Sequence, residues 1–122
     1  MALPSSDDQI LLLHNPKCSK SRATLALLEE KGATFDTRHY LEDPLSVDEL
    51  RDLGQRLGKT TVEYTRTKQA EFAEAGLDQD SDSDAILVAM VKAPILMERP
   101  VVIRGARAAI GRPPADVLAL LD

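Results

Sequence analysis

A single cysteine, Cys18, occupies a position where a thiol is expected to be reactive. The apolar residues 10–13 predict a buried strand and an apolar helical pattern begins at about residue 21, so Cys18 lies on a strand-to-helix turn. At such a turn the unpaired amides and the positive end of the helix dipole favour thiolate over thiol, and nearby cations act in the same direction. The neighbouring side chains of this kind are Lys17, Lys20, Arg22 and His14. We therefore predict a reactive thiolate here, since structural cysteines are usually buried among apolar groups.

Four arginines form a basic island in an otherwise acidic protein. The formal net charge is -5 at pH 7, and residues 71–84 contain six acidic side chains, whereas residues 99–114 contain four arginines and no acid. The arginines are Arg99, Arg104, Arg107 and Arg112. Any one of them is best explained as a solvated turn or strand-edge residue. Two or more that converge near Cys18 would instead form an oxyanion site, because guanidinium presents a planar fork of donors.

These residues lie on a predicted alternation of strands and helices. Residues 10–14 and 34–40 predict strands on either side of a helix that runs from about residue 21 to residue 31 and stops at Gly32. A capping box at residues 46–49 predicts a second helix with an apolar stripe. The stripe consists of Leu50, Leu53 and Leu57. The further predicted elements are helices over 62–75 and 83–92, a hairpin formed by 101–103 and 108–110 around Gly105, and a last helix that begins at Pro113-Pro114.

This order of elements predicts an α/β protein with a thioredoxin-like mixed sheet flanked by helices, and with a helical insertion between the two halves of the sheet. We expect a single domain over residues 1–122, with a core formed by about 9–42 and 99–122 and an insertion over about 43–98. In this architecture a reactive cysteine lies at the start of the first helix. The Arg99-Pro100 step suits the place where such folds have a cis-proline beside the cysteine, so a cis bond there is a hypothesis.

Several separated motifs stand out along the chain: residues 14–25, residues 39–42, Arg66 with Gly76-Leu77, residues 94–102 and Arg112-Pro113. Together they resemble the glutaredoxin-coupled arsenate reductase family. They occur in the family's order between about residues 10 and 121, which makes the resemblance more specific than a lone cysteine loop. The loop at residues 18–21 reads Cys-Ser-Lys-Ser and looks like that of a chromosomal sister subgroup, which is related to Spx-type regulators.

The resemblance implies roles for individual residues. Cys18 matches the family's catalytic cysteine, and His14 and Ser21 match positions that tune or contact the thiolate. The three oxyanion-binding arginines of the family are matched by Arg66, Arg99 and Arg112. Nothing local distinguishes Arg66 from a solvated helix residue, so its role rests on the resemblance alone.

The implied activity is the reduction of arsenate to arsenite. Guanidinium groups bind the phosphate-like anion while the Cys18 thiolate attacks arsenic and water leaves. Because the chain has no second cysteine, an outside thiol must resolve Cys18. The resemblance implies glutathione as the co-substrate and glutaredoxin as the partner that removes the mixed disulfide. This mechanism calls for no bound cofactor: no metal, nucleotide or flavin.

Two other functions are kept as alternatives. A Spx-like regulator would use the same fold to bind RNA polymerase, but such regulators sense redox state through Cys-x-x-Cys, and the fourth position here is Ser21. A monothiol oxidoreductase acting on glutathionylated substrates would need only Cys18, and the arginines would be incidental. Dependence of activity on Arg99 and Arg112 separates the monothiol oxidoreductase from the reductase.

Composition argues against nucleic-acid, membrane and metal functions. The acidic balance, the four scattered aromatic residues and the lack of an apolar run of about 20 residues disfavour nucleic acid and membranes as partners. Residues 78–82 resemble a calcium loop, but Ser83 replaces the required glycine and Ala89 the bidentate acid. The two histidines, His14 and His39, lack the spacing of a zinc site. The lone cysteine and a short acidic leader predict a cytoplasmic protein without a disulfide framework.

Overall fold

Strand β1 (Ile10–His14) is an interior strand of a mixed sheet. In the computed structural model, which describes residues 2–121, β1 pairs in parallel with β2 (Asp36–His39) and antiparallel with β3 (Val101–Arg104). Strand β4 (Arg107–Ile110) pairs antiparallel with β3, and the described strands follow the order β2-β1-β3-β4. All five residues of β1 are buried, as a strand covered on both faces requires. The predicted α/β mixed sheet is confirmed.

Helix α1 (Ser19–Glu30) follows β1 closely, with Cys18 as its N-cap residue. It begins two residues earlier than predicted and ends just before Gly32, whose φ of +72° is one that glycine adopts readily. The helix packs on the sheet and on a 3-10 helix at Pro114–Leu120. Their shared core cluster consists of Ile10, Leu12, Leu28, Val102, Val117 and Leu120. The last helix is therefore present where it was predicted, although its backbone is 3-10 rather than α.

Residues 44–98 form a compact unit of their own, and the residues up to 43 and from 99 onward form the other. The helices of the 44–98 unit are α2 (Val47–Leu57), α3 (Ala70–Glu74), α4 (Ser83–Lys92) and 3-10 helices at Thr61–Tyr64 and Pro94–Leu96. The predicted capping box is present, since Ser46 Oγ accepts the Glu49 N–H at 3.1 Å and the Glu49 carboxylate accepts the Ser46 N–H at 3.1 Å. The single domain expected over the whole chain stays a prediction. No helix in the described part of the chain is long and apolar enough to cross a bilayer.

The prediction of one helix over residues 62–75 is wrong. The chain leaves the 3-10 helix at Thr65, which has extended backbone angles and forms an isolated antiparallel bridge with Met97. The next amide, that of Arg66, donates to Leu96 O at 2.6 Å. Pairing with the distant 96–97 segment satisfies backbone groups that a continuous helix would have used internally. The sequence of residues 62–75 does not reveal that pairing with residues 96–97 replaces helical hydrogen bonds there.

Two peptide bonds that precede prolines are cis. The Arg99–Pro100 bond is cis, which agrees with the hypothesis from the sequence, and the Arg112–Pro113 bond is also cis, which was not predicted. Gly111 connects this region to α1: its N–H donates to Pro100 O at 2.9 Å, and a Cβ at this position would lie 2.8 Å from Thr24 Oγ1. Only a residue without a side chain fits between these elements.

Candidate active site

The Cys18 thiol lies at the N-terminus of α1, half-buried, with donors on two sides. The guanidinium group of Arg99 and the backbone amides of Ser21 and Lys20 lie near its sulfur and stabilise the thiolate. Burial raises the pKa of the thiol, but Arg99 and the two amides together outweigh it and hold the pKa below its ordinary value. Lys20 therefore acts through its backbone, and the charged partner is Arg99, which is remote in sequence.

Ser21 uses its backbone and its side chain for different purposes. Its amide faces the Cys18 sulfur, whereas its Oγ lies 2.6 Å from His14 Nδ1 and accepts the Asn15 N–H at 3.0 Å. Burial, with the charges of His39 and Arg22, lowers the pKa of His14, so the imidazole is neutral near pH 7. A neutral imidazole has one donor and one acceptor nitrogen, and Nδ1 can pair with the Ser21 hydroxyl in either tautomer. The structure thus places His14 and Ser21 in contact with each other, and the pair is hydrogen-bonded to the loop that carries Cys18.

Arg99 and Arg112 are the two members of the basic island that the structure brings together. Nε of Arg112 donates to the backbone O of Arg99 at 2.7 Å. Arg99 directs part of its guanidinium group to Cys18, while its Nε and Nη1 are buried and have no hydrogen-bond partner among residues 2–121. Buried guanidinium nitrogens without acceptors are costly to a folded protein unless a ligand supplies them. This pair of atoms is the strongest sign of an anion site beside the thiolate.

The other two arginines of the island lie elsewhere. Arg104 donates to Leu120 O at 2.8 Å and pairs with Asp8 at 3.5 Å, so it ties the C-terminal 3-10 helix and the N-terminal segment to β3. Arg107, on β4, is exposed. Arg104 therefore has a structural role and Arg107 is solvated, as expected from the sequence for any single arginine of the island.

Arg66 belongs to the 44–98 unit, just after the 3-10 helix at Thr61–Tyr64. Its side chain is partly buried, and its Nη1 has no hydrogen-bond partner within the described residues. A solvated helix residue would not bury a guanidinium nitrogen in this way. Its assignment to the oxyanion set stays a prediction.

The structure adds Tyr40 and Asn15 to the residues around Cys18. Tyr40 is 1 % exposed, and its hydroxyl is buried. Asn15 shapes the cysteine loop, because its Oδ1 accepts the Lys17 N–H at 3.0 Å and its backbone O accepts the Cys18 N–H at 3.0 Å. The Asn-Pro pair is a turn signal from which the second role is predictable. Tyr40 had no such signal beyond its place in the 39–42 motif.

These groups define a class of chemistry. A thiolate held by helix amides beside unsatisfied guanidinium donors is suited to bind a tetrahedral oxyanion and attack its central atom. Within residues 2–121 no group of three or more His, Cys, Asp or Glu side chains is placed to hold a metal ion. The fold and the site together define a thioredoxin-like protein with a cysteine loop and buried, unpaired guanidinium donors beside it.

Comparison with known proteins assigns the family. The model of the ArsC family matches residues 13–120, and the chain belongs to this family. An arsenate reductase of Neisseria meningitidis serogroup A is 42% identical over 115 residues, which cover 93% of this chain and 98% of the relative. An Escherichia coli relative named only as uncharacterized protein YfgD is 44% identical over 115 residues, covering 93% of this chain and 97% of its own.

A solved structure gives the same fold. The arsenate reductase from Vibrio cholerae superposes with a TM-score of 0.87 at 44% sequence identity, covering 92% of this chain and 97% of its own. The thioredoxin-like architecture expected from the order of elements is thereby confirmed.

Proposed function

We propose that this chain is an arsenate reductase in which Cys18 is the nucleophile and Arg99 and Arg112, with Arg66, bind the oxyanion. The observation that carries the proposal is the guanidinium group of Arg99, which lies near the Cys18 sulfur and keeps Nε and Nη1 buried without acceptors. One oxyanion would accept from these nitrogens and present its central atom to the thiolate. Relatives named arsenate reductase at 42% identity support arsenate as that anion.

The first step forms a bond between Cys18 sulfur and arsenic. The thiolate attacks arsenic(V), and one arsenate oxygen leaves as water after taking up protons. The arginine charge offsets the repulsion between thiolate and anion, which would otherwise oppose the encounter. The product is a covalent thiolate adduct in which arsenic is still in the +5 state.

The second step needs an outside thiol, because the chain has one cysteine. Glutathione forms a disulfide bond with Cys18 sulfur while the sulfur–arsenic bond breaks, and the electron pair of that bond reduces arsenic(V) to arsenic(III). Arsenite leaves, and the thiol proton of glutathione ends on it. Glutaredoxin then removes the glutathionyl group from Cys18. Dependence on reduced glutathione favours the cytoplasm as the place of action.

The same geometry argues against the two alternatives. The thiol exchange of a monothiol oxidoreductase needs only Cys18, so the buried, unsatisfied guanidinium nitrogens beside the cysteine favour the oxyanion mechanism. A Spx-like redox switch needs a second thiol at the fourth position of the loop, where the Ser21 hydroxyl instead contacts His14 and Asn15.

The test is arsenite production by the purified protein with arsenate, glutathione, glutaredoxin and NADPH-driven recycling. We expect turnover by the wild type, none by Cys18→Ser, and a kcat/KM lower by about 10²–10³-fold for Arg99→Ala. Arg107→Ala is the matched control, since that arginine is exposed on β4, and it should stay within about twofold of wild type.

Two results would count against the proposal. Absence of arsenite with the wild-type protein would reject the reductase activity. Disulfide exchange that is insensitive to both Arg99→Ala and Arg112→Ala, without arsenite, would support the monothiol oxidoreductase instead.

A further inference from the structure

We propose that Tyr40 is a substrate-binding residue of this site, whose hydroxyl donates a hydrogen bond to an oxygen of the bound tetrahedral oxyanion. The inference rests on the proposed function only in that the site must bind an oxyanion. It adds a neutral donor to the cationic arginines.

Sheet topology places Tyr40 at the cysteine loop. Strands β1 and β2 are parallel, with His14 opposite His39, so their carboxyl ends meet at one edge of the sheet. Tyr40 directly follows β2, and the loop that carries Asn15 and Cys18 directly follows β1. The Tyr40 phenol lies within electrostatic reach of Arg99, Cys18 and Arg112, in agreement with this placement.

The hydroxyl of Tyr40 is an unsatisfied donor. The side chain is 1 % exposed, and its oxygen has no hydrogen-bond partner among the described residues. The Asn15 side chain approaches closely enough to lower the phenol's pKa, yet the pair does not meet hydrogen-bond geometry. A buried tyrosine hydroxyl usually has a partner, because leaving it unpaired destabilises the fold. Phenylalanine would fill the same volume without that cost.

One ligand could satisfy all of the unpaired donors near Cys18. The Tyr40 hydroxyl and Nε and Nη1 of Arg99 are all donors, all buried and all without acceptors within residues 2–121. A tetrahedral oxyanion carries several acceptor oxygens and satisfies such a set in one binding event. An apolar or cationic ligand would leave every one of these donors unpaired.

The phenol is in the protonated form that the inference requires. Burial raises the pKa of Tyr40 to about 12, although the charge of Arg99 acts in the opposite direction. The group is therefore an O–H donor throughout the neutral range, and it does not add a negative charge that would repel an anion.

The experiment compares Tyr40→Phe with Tyr64→Phe. Tyr64 is also 1 % exposed, but its hydroxyl donates to Leu50 O at 2.9 Å, which makes it a matched control for loss of a buried hydroxyl. Binding is measured as protection of Cys18 from iodoacetamide by arsenate and by inorganic phosphate. We expect Tyr40→Phe to weaken protection by about tenfold, and Tyr64→Phe to leave it within about twofold of wild type.

Further readouts separate a binding role from a structural one. Without anion, Tyr40→Phe should be alkylated at the wild-type rate with the same pH midpoint, and its thermal midpoint should not fall, since an unsatisfied buried hydroxyl has been removed. In turnover assays of Tyr40→Phe, the factor by which the KM for arsenate rises should be about ten times the factor by which kcat falls. A drop in thermal stability with unchanged anion protection would show that Tyr40 is only a core residue.

The outcomes distinguish this inference from the proposed function. Equal protection of Tyr40→Phe and wild type, with arsenite still produced by wild type, overturns the role of Tyr40 and leaves the reductase standing. Weaker protection of Tyr40→Phe, with no arsenite from wild type, supports the role of Tyr40 and rejects the reductase. Failure of both anions to protect wild-type Cys18 overturns the role of Tyr40 directly.

Discussion

At the scale of single residues, the reactivity of Cys18 follows from a competition between burial and donors. Burial alone would raise the pKa of the thiol, but Arg99 and the amides of Lys20 and Ser21 stabilise the thiolate more than burial destabilises it. The Arg99 guanidinium group thus has two effects, since it lowers the pKa of the Cys18 thiol and has further unpaired donors beside it. Loss of Arg99 should therefore raise the pKa of Cys18 and also weaken anion binding.

The pH dependence of Cys18 alkylation tests this competition. In wild type, the iodoacetamide rate should reach half its plateau below the value of about 8.5 of a free thiol. For Arg99→Ala the midpoint should move upward, because the thiolate loses a stabilising donor and its positive charge while burial continues to favour the thiol. Lys20→Ala keeps its backbone amide and should change the midpoint little. A wild-type midpoint at or above the free-thiol value would contradict the thiolate assignment.

At the scale of elements, helix α2 shows how local and non-local requirements combine. Its start is set locally by the Ser46 and Glu49 capping box. Its packing depends on Gly54, because a Cβ at that position would lie 2.9 Å from both Cε1 and Oη of Tyr64. The Tyr64 hydroxyl in turn donates to Leu50 O in the same helix. A glycine that weakens the helix in isolation thus allows the aromatic ring to pack against it.

Gly54→Ala should destabilise the protein by about 1–3 kcal/mol in urea unfolding, despite the better helix propensity of alanine, because the Tyr64 ring must shift. Gln55→Ala is the control, an exposed position of the same helix where the change should be within about 0.5 kcal/mol. In a Tyr64→Leu background the cost of Gly54→Ala should shrink. Equal costs in both backgrounds would show that the ring contact is not the cause.

At the scale of the whole molecule, the presence of one cysteine limits each chain to one disulfide bond with another molecule. The chain cannot form an internal disulfide, so any disulfide of Cys18 must include a second molecule. The half-buried Cys18 at the start of α1 is the place where that molecule attaches.

Treatment of the native protein with glutathione disulfide should therefore add one glutathionyl group per chain, as measured by intact mass. The group should be removed by glutaredoxin with reduced glutathione, and the rate of addition should rise with pH through the Cys18 midpoint. Cys18→Ser should gain none. Resistance of the native wild-type protein to modification, with modification only after unfolding, would mean that Cys18 is inaccessible to a tripeptide thiol.

Much of the fold was predictable because its signals are local. The five buried residues of β1, the capping box of α2, the residues of α4 and the hairpin around Gly105 are each specified within a few positions, and each was found where it was expected. The position of Cys18 at the start of a helix is local in the same sense.

The tertiary structure decided what depends on residues far apart in the chain. The pairing of Thr65 with Met97 interrupts a stretch whose apolar spacing is helical. The contact of Arg99 with Cys18 and the burial of the Tyr40 hydroxyl likewise arise only when strands β1, β2 and β3 assemble. By itself the sequence predicted that Cys18 is the reactive thiol, since helix amides act within one turn. Only the fold showed which charge lies beside Cys18 and which buried donors lack acceptors near it, because such contacts require atoms within a few ångströms and sequence distance does not reveal them.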